Sequence, residues 1–145
     1  MRVRTATRDD LDAVLGIRAP ILGLDVTRAR ALVAASIDAR GCHVADAGDG
    51  VLDGYVVVRR REFFGRDLVV LLAVAERARR RGIGSALLDA ALATSSTRRV
   101  FTSTNESNAP MRALLAVQGW VPSGRLEGLD EGDPELVFYR DAPDP

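Results

Sequence analysis

The chain contains no lysine; all twenty of its basic residues are arginine. That absence excludes chemistry built on an amine side chain, including a Walker A phosphate loop, a pyridoxal Schiff base and a Ser-x-x-Lys nucleophile. Cysteine and histidine are nearly as scarce. Cys42 stands alone, so no disulfide can close within the chain, and Cys42 with the single His43 cannot supply a Cys/His zinc site. Being adjacent on a predicted strand, the two face opposite sides and cannot form a thiolate–imidazole pair. Long apolar stretches are missing as well: the longest, Leu68 to Ala75, is far too short to span a bilayer. Neither charge is in excess, since twenty acidic residues balance the arginines, which argues against general nucleic-acid binding. The first ten residues mix both signs without the apolar core of a signal peptide. The expectation is a cytoplasmic protein with neither membrane nor nucleic acid as partner.

What is present describes one globular domain. In 145 residues, 47% hydrophobic and 28% charged side chains suffice for an ordinary core, expected over 1–140 with a frayed tail at 141–145. The alternating run Arg2 to Ala6 reads as a strand, and Thr7 with Asp10 resembles a capping box opening a helix through Ile17, broken at Pro20 and Gly23. A second helix is predicted from about Thr27 to Arg40, with Ala31, Leu32, Ala35 and Ile37 inward and Gly41 terminating it. Cys42 to Ala47 and Tyr55 to Arg60 form a hairpin around the turn-rich Gly48 to Gly54. Leu68 to Val74, apolar throughout, suits a central strand covered on both faces.

A helix follows from Gly82 to about Ala93, then a strand over Arg99 to Thr104, and a helix capped by Asn108 that ends at Gly119. Trp120 and Val121 begin a strand, Gly124 to Asp133 is predicted as loop, and Glu135 to Arg140 is the last strand. The order β-α-α-β-β-β-α-β-α-β-β implies an α/β fold, a mixed sheet flanked by helices, because antiparallel hairpins sit beside one strand-helix-strand crossover.

The chemistry is concentrated where the buried strand meets an Arg-rich turn, Arg79-Arg80-Arg81, and Gly82-Ile83-Gly84 opens the next helix. First-turn amides of a helix lack internal partners and carry partial positive charge, glycines admit a ligand close to the backbone, and arginines add charge-assisted bonds. Together they make a cradle for phosphate. A dinucleotide-binding fold is a rival, but the third glycine of its fingerprint is absent, with Ala86 and Leu87 following instead.

Arg79, Gly82 and Gly84 meet the Arg/Gln-x-x-Gly-x-Gly/Ala signature of the GNAT N-acetyltransferases, and Asn108 with Gly119-Trp120 resembles that family's Asn-led helix ending in a Gly-aromatic pair. The resemblance spans nearly the whole chain and implies acetyl-CoA as cosubstrate, with no metal. It also implies that Leu72, Ala73 and Val74 bond the pantetheine arm through their backbone. Arg79 to Gly84 would hold the pyrophosphate, and Asn108 would lie near the pantetheine or its sulfur. Two departures stand out. Glu76-Arg77-Ala78 replaces a common Pro-Glu-Tyr, and Leu115 occupies the place of the tyrosine that commonly protonates the departing thiolate.

The implied reaction is direct transfer of acetyl to a primary amine, which needs a base for the ammonium and a proton for the thiolate. Glu62, Glu106 and the acidic loop before the last strand are candidate bases, and Tyr139 and Tyr55 are candidate donors. Between the last two strands lies an acidic stretch running from Glu127 through Asp130, Glu131 and Asp133 to Glu135, which would attract a cationic amine, whether small molecule or peptide. A solvated loop is the plainer reading of the same residues. The rival in another class is a non-catalytic acyl-CoA-binding module, for which Leu115 is the best argument. The assembly is expected to be a monomer or homodimer.

Overall fold

The computed structural model describes residues 1–17 and 23–144. Its strands are β1 (Arg2–Thr5), β2 (Cys42–Gly48), β3 (Val51–Phe63), β4 (Arg66–Val74), β5 (Arg99–Asn105), β6 (Val121–Leu126) and β7 (Glu135–Asp141). Its α-helices are α1 (Leu11–Leu15), α2 (Val26–Asp38), α3 (Ile83–Ala93) and α4 (Ala109–Val117). The chain order is the expected one, and the strands form a single mixed sheet in the order β1-β2-β3-β4-β5-β7-β6. Only β4 and β5 run parallel, joined through α3, which puts the apolar β4 at the centre.

Helices cover both faces of this sheet. On one face Ile83, Leu87 and Leu88 of α3 and Leu115 of α4 pack with Val56, Val58, Val69, Val100, Trp120 and Phe138. On the other, Leu11 and Val14 of α1 and Val33 and Ile37 of α2 pack with Val44, Tyr55, Val57, Leu71 and Ala73. β4 contributes to both cores because its register with β3 slips: Val58 lies opposite Val69 while Val57 lies opposite Leu71, leaving Val70 as the extra residue of a bulge. From Leu71 onward the strand's two faces are therefore exchanged.

The bulge also limits the β4–β5 pairing, which runs only over Asp67↔Val100, Leu68↔Phe101 and Val69↔Thr102. Beyond it the two central strands part. Thr102 Oγ1 donates to Val69 O at 3.0 Å at the fork, while β5 keeps its full pairing with β7 out to Asn105↔Glu135. The result is a V-shaped opening in the middle of the sheet, closed at Asp67 and open toward the start of α4.

Several local expectations are corrected. The capping box is present, with the Asp10 carboxylate accepting from Thr7 N–H at 2.7 Å, but it opens a 3-10 turn over Arg8–Asp10 before α1. The predicted break at Pro20 lies outside the described residues. α2 buries Ala29, Val33, Ser36 and Ile37, whereas Ala31 and Ala35 are exposed, so its core stripe is rotated from the predicted one. Arg40, not Gly41, takes the left-handed conformation after α2 (φ 59°). Gly41 is required for a close approach instead, since a Cβ there would lie 2.4 Å from Val58 O. The β2–β3 turn contracts to Asp49-Gly50, with Leu52 to Gly54 already in β3. β6 extends through Leu126 into the predicted loop, and Asp141 belongs to β7, where Arg99 holds it at 2.8 Å.

Tyr55 is fully buried, and its hydroxyl has no hydrogen-bond partner among the described residues. Burial, then the neighbouring Cys42, pushes its pKa up to about 12, so the phenol stays neutral. A buried donor without a partner carries an uncompensated desolvation cost. Tyr55→Phe should therefore leave the fold unchanged and raise stability by about 1 kcal/mol, read as a higher Tm. A lower Tm would mean that the hydroxyl is satisfied.

Candidate active site

The turn from β4 into α3 is the segment expected to cradle an anion. After a 3-10 turn over Glu76–Ala78, Arg80 and Gly82 both adopt positive φ (65° and 77°), which folds the chain back tightly before α3 begins. Gly82 supplies that conformation without strain. The first internal α3 bond runs from Ala86 N–H to Gly82 O at 3.1 Å, leaving the amides of Ile83, Gly84 and Ser85 free. Gly84 has a second role: a Cβ there would come within 3.1 Å of Leu114 Cδ2, so its small size lets α4 lie against α3. Arg79, Arg80 and Arg81 are exposed and make no ion pair among the described residues, although other arginines of this chain are widely paired.

A cavity of about 770 Å³ adjoins this turn. It is lined by Leu72, Ala73 and Val74 of β4, by Arg79, Arg80 and Gly82 to Ser85 of the turn, and by Asn108, Met111 and Leu114 of α4. Nine of the ten residues expected at the cofactor are thus gathered on one wall system; Arg81 alone is outside the lining set. Ala75 N–H donates to Asp53 O of β3 at 2.7 Å, so alternation turns the backbone groups of Leu72 and Val74 away from β3 and into the fork. A second cavity of about 200 Å³ occupies the fork itself, between Val69–Leu72 and Thr102–Asn105, and includes Glu135. The two cavities share Leu72, Asn108 and Met111, so they meet between the parted strands.

The family model described as Acetyltransferase (GNAT) family matches residues 11–120. The chain belongs to the GNAT acetyltransferase family. Among solved structures, a GNAT acetyltransferase from Bacillus cereus ATCC 10987 is 36% identical, with 99% of this chain and 98% of that one aligned at a TM-score of 0.87. A ribosomal-protein-alanine N-acetyltransferase from Brucella melitensis shares the fold at 23% identity, covering 97% and 99% of the two chains with a TM-score of 0.74. So does yncA from Salmonella typhimurium, solved with its cofactor acetyl-CoA, at 16% identity, 100% and 95% coverage and a TM-score of 0.78. No curated protein sequence matches this chain.

The GNAT fold places the remaining candidates unevenly. Glu62 sits near the closed end of the fork, beside the β3–β4 hairpin, where Arg59 holds its carboxyl below the usual carboxylate range. Tyr139 pairs with Phe101, also at the closed end; its ring lies 5.8 Å from that of Phe101, with the Arg99 guanidinium 4.0 Å above it. Glu106 stands at the open end, but its carboxylate accepts from Arg125 Nη1 at 2.7 Å. None of the three lines either cavity.

Leu115 is fully buried among core residues and does not line the cavity, whereas Met111 and Leu114 do. His43 and Cys42 are buried on β2. Burial first, then Arg60 and Arg40, pushes the imidazole down to about 4, while Nε2 bonds Thr94 Oγ1 at 2.9 Å. Burial, then Asp10, pushes the thiol up to about 12, so neither group is poised to react.

The acidic loop is ordered by the site rather than free. Asp133 accepts from Ser107 N–H at 3.0 Å and Ser107 Oγ at 2.6 Å, and Asp130 accepts from Asn105 Nδ2 at 2.9 Å. Glu127 pairs with Arg125 at 2.6 Å, leaving Glu131 without an ion pair among the described residues. These bonds fasten the loop to the end of β5 and the turn before α4, at the mouth of the fork.

Proposed function

We propose that this GNAT protein is an N-acetyltransferase that moves the acetyl group of acetyl-CoA directly to a cationic primary amine. The observation that carries the reading is the fork between β4 and β5 opening onto helix amides and arginines that have no partner among the described residues. The cradle fits a pyrophosphate because amides of Ile83 to Ser85 and the charges of Arg79 and Arg80 converge on one cavity. Backbone groups of Leu72 and Val74, which lack a strand partner beyond the fork, would bond the pantetheine and hold the thioester carbonyl. Acetyl-CoA supplies the activated acyl group; the protein's part is alignment, polarisation and proton removal.

The acidic loop at the fork's mouth supports a cationic acceptor. An amine with pKa near ~10.4 is less than about a thousandth neutral near pH 7, so it arrives as an ammonium ion, which clustered carboxylates attract. Release of thiol from acetyl-CoA across a panel of polyamines, aminoglycosides and peptide amino termini tests the reading. Turnover on cationic members is expected, together with kcat/KM that falls as the Debye length shrinks from about 30 Å at 0.01 M salt to about 10 Å at 0.1 M. Acetyl-CoA is kept saturating, so that weakened cofactor binding does not imitate the effect. Glu131→Gln should flatten the salt dependence without disturbing the loop, whereas Asp133→Asn would also loosen the bonds from Ser107. Thermal stabilisation by acetyl-CoA with no thiol release on any amine would instead identify a non-catalytic binding module.

A further inference from the structure

Glu135 is the only titratable residue lining the cavity within the fork, among the described residues. It begins β7, opposite Asn105, at the open end where β4 has already left β5. Its neighbours on the strand, Leu136 and Phe138, pack on the face covered by α3 and α4, so alternation puts the Glu135 side chain on the other face of the sheet. The cofactor cavity lies on the α3–α4 face, and the fork joins the two sides through Leu72, Asn108 and Met111. A carboxylate that borders the gap in the sheet, across from the larger cavity, stands beside the path by which an acceptor would reach a thioester held in that cavity. Unlike Glu62, Glu106 and Glu127, Glu135 makes no ion pair or side-chain hydrogen bond among the described residues.

We propose that Glu135 is the catalytic base of the transfer, receiving the acceptor ammonium in the fork and taking its first proton. This rests on the acetyltransferase reading above. The Glu135 carboxylate accepts one proton from the ammonium, and the freed nitrogen lone pair forms the bond to the thioester carbonyl carbon. The carbon–sulfur bond breaks with its electron pair leaving on sulfur. The nitrogen then loses a second proton, which neutralises the thiolate, and Glu135 returns its own proton to solvent. One acetyl group and one net proton are accounted for: ammonium and acetyl-CoA give amide, free CoA thiol and a proton.

The surroundings suit that role. Burial first, then the charges of Asp130 and Asp133 on the adjoining loop, raise the Glu135 pKa above the ordinary carboxylate value and so strengthen it as a base. On β6, Leu126 lies opposite Glu135 and the next residue, Arg125, is engaged by Glu106 and Glu127, while among the described residues the lining segments of β4, β5 and α4 contribute no charged side chain.

The test measures kcat and KM for the best amine between about pH 7 and about pH 10 in the parent, Glu135→Gln and Glu135→Asp, with calorimetry of acetyl-CoA binding to each. Glu135→Gln should bind acetyl-CoA as the parent does and lose roughly a hundredfold in kcat near neutrality. That deficit should narrow toward high pH, where the amine sheds its proton unaided, and Glu135→Asp should recover part of the rate. Parental kcat in Glu135→Gln, a deficit that does not change with pH, or a rise in KM alone would each overturn the assignment. A parent that binds acetyl-CoA but acetylates no amine, or does not bind it, would overturn the acetyltransferase reading itself.

Discussion

Replacing Gly84 with glutamate is expected to lower acetyl-CoA affinity by at least about a hundredfold, or ~2.7 kcal/mol. Gly84 is the second residue of α3, its amide is one of the free donors, and it lines the cavity. A carboxylate rooted there would occupy the approach to the turn and meet the pyrophosphate with like charge. Two unit charges about 4 Å apart repel by roughly 4 kcal/mol near a protein surface. A shape effect must be separated from a charge effect, because the Cβ alone would lie 3.1 Å from Leu114 Cδ2. That atom ends a flexible side chain, so Gly84→Ala should fold, with the crowding offset by alanine's advantage of about 1 kcal/mol over glycine in a helix. Calorimetry should find near-parental affinity in Gly84→Ala and none measurable in Gly84→Glu, with near-ultraviolet dichroism confirming that both are folded. Equal affinities in the two variants would move the pyrophosphate away from this turn.

The features visible in the sequence are those written locally. The uninterrupted apolar run in β4 announced a strand covered on both faces; Asn108 announced a helix start, and its Oδ1 does accept from Met111 N–H at 3.2 Å. The tight turn before α3 was legible because paired glycines and consecutive arginines follow that strand directly. The fork was not, since it depends on the bulge at Val70, and nothing in a run of valines and leucines marks where a register slips. The burial stripe of α2 was misread for a related reason. In an alanine-rich helix several faces look equally apolar, and the true stripe includes Ser36, a residue that sequence patterns assign to the surface.

Glu135 illustrates the same limit at the site itself. In the sequence it is the last acid of the stretch between the final two strands, and nothing there sets it above Glu62 or Glu106 as a base. Its distinction comes from pairing with Asn105 thirty residues earlier in the chain, which sets it beside the open end of a fork formed by two other strands. Long-range register decides which acid lines the fork, and Arg125 and Arg59 neutralise two of the competitors through contacts equally hidden in the sequence.

The other large effect is expected at the closed end of the fork. Asp67 is completely buried and accepts from Arg60 Nη1 at 3.1 Å, Arg61 N–H at 3.0 Å, Ser96 N–H at 2.8 Å and Ser96 Oγ at 2.5 Å. One carboxylate thereby ties the end of β3 and the start of β4 to the loop leading into β5, beside the three residue pairs that join β4 to β5. Asp67→Ala would leave these buried donors unmet and an arginine without its counterion, which costs roughly 3–5 kcal/mol. For a chain of this length that corresponds to a fall in Tm on the order of 10 °C.

The pH dependence follows from the same contacts. Burial by itself raises the Asp67 pKa, but the bonds from Ser96, Arg61 and Arg60 outweigh it and hold the carboxyl below its ordinary value. A group whose pKa is lowered by folding contributes its stability above the unfolded value, near ~3.9, and loses it as pH falls through the folded value. The parent should therefore lose stability in acid partly through this site, and Asp67→Ala, already lacking the contribution, should show a shallower decline of Tm over that range. Because the fork is closed by so few pairs, the variant should also gain less Tm from saturating acetyl-CoA than the parent does. An unchanged Tm in Asp67→Ala, or an acid limb as steep as the parent's, would show that the hinge of the fork is held elsewhere.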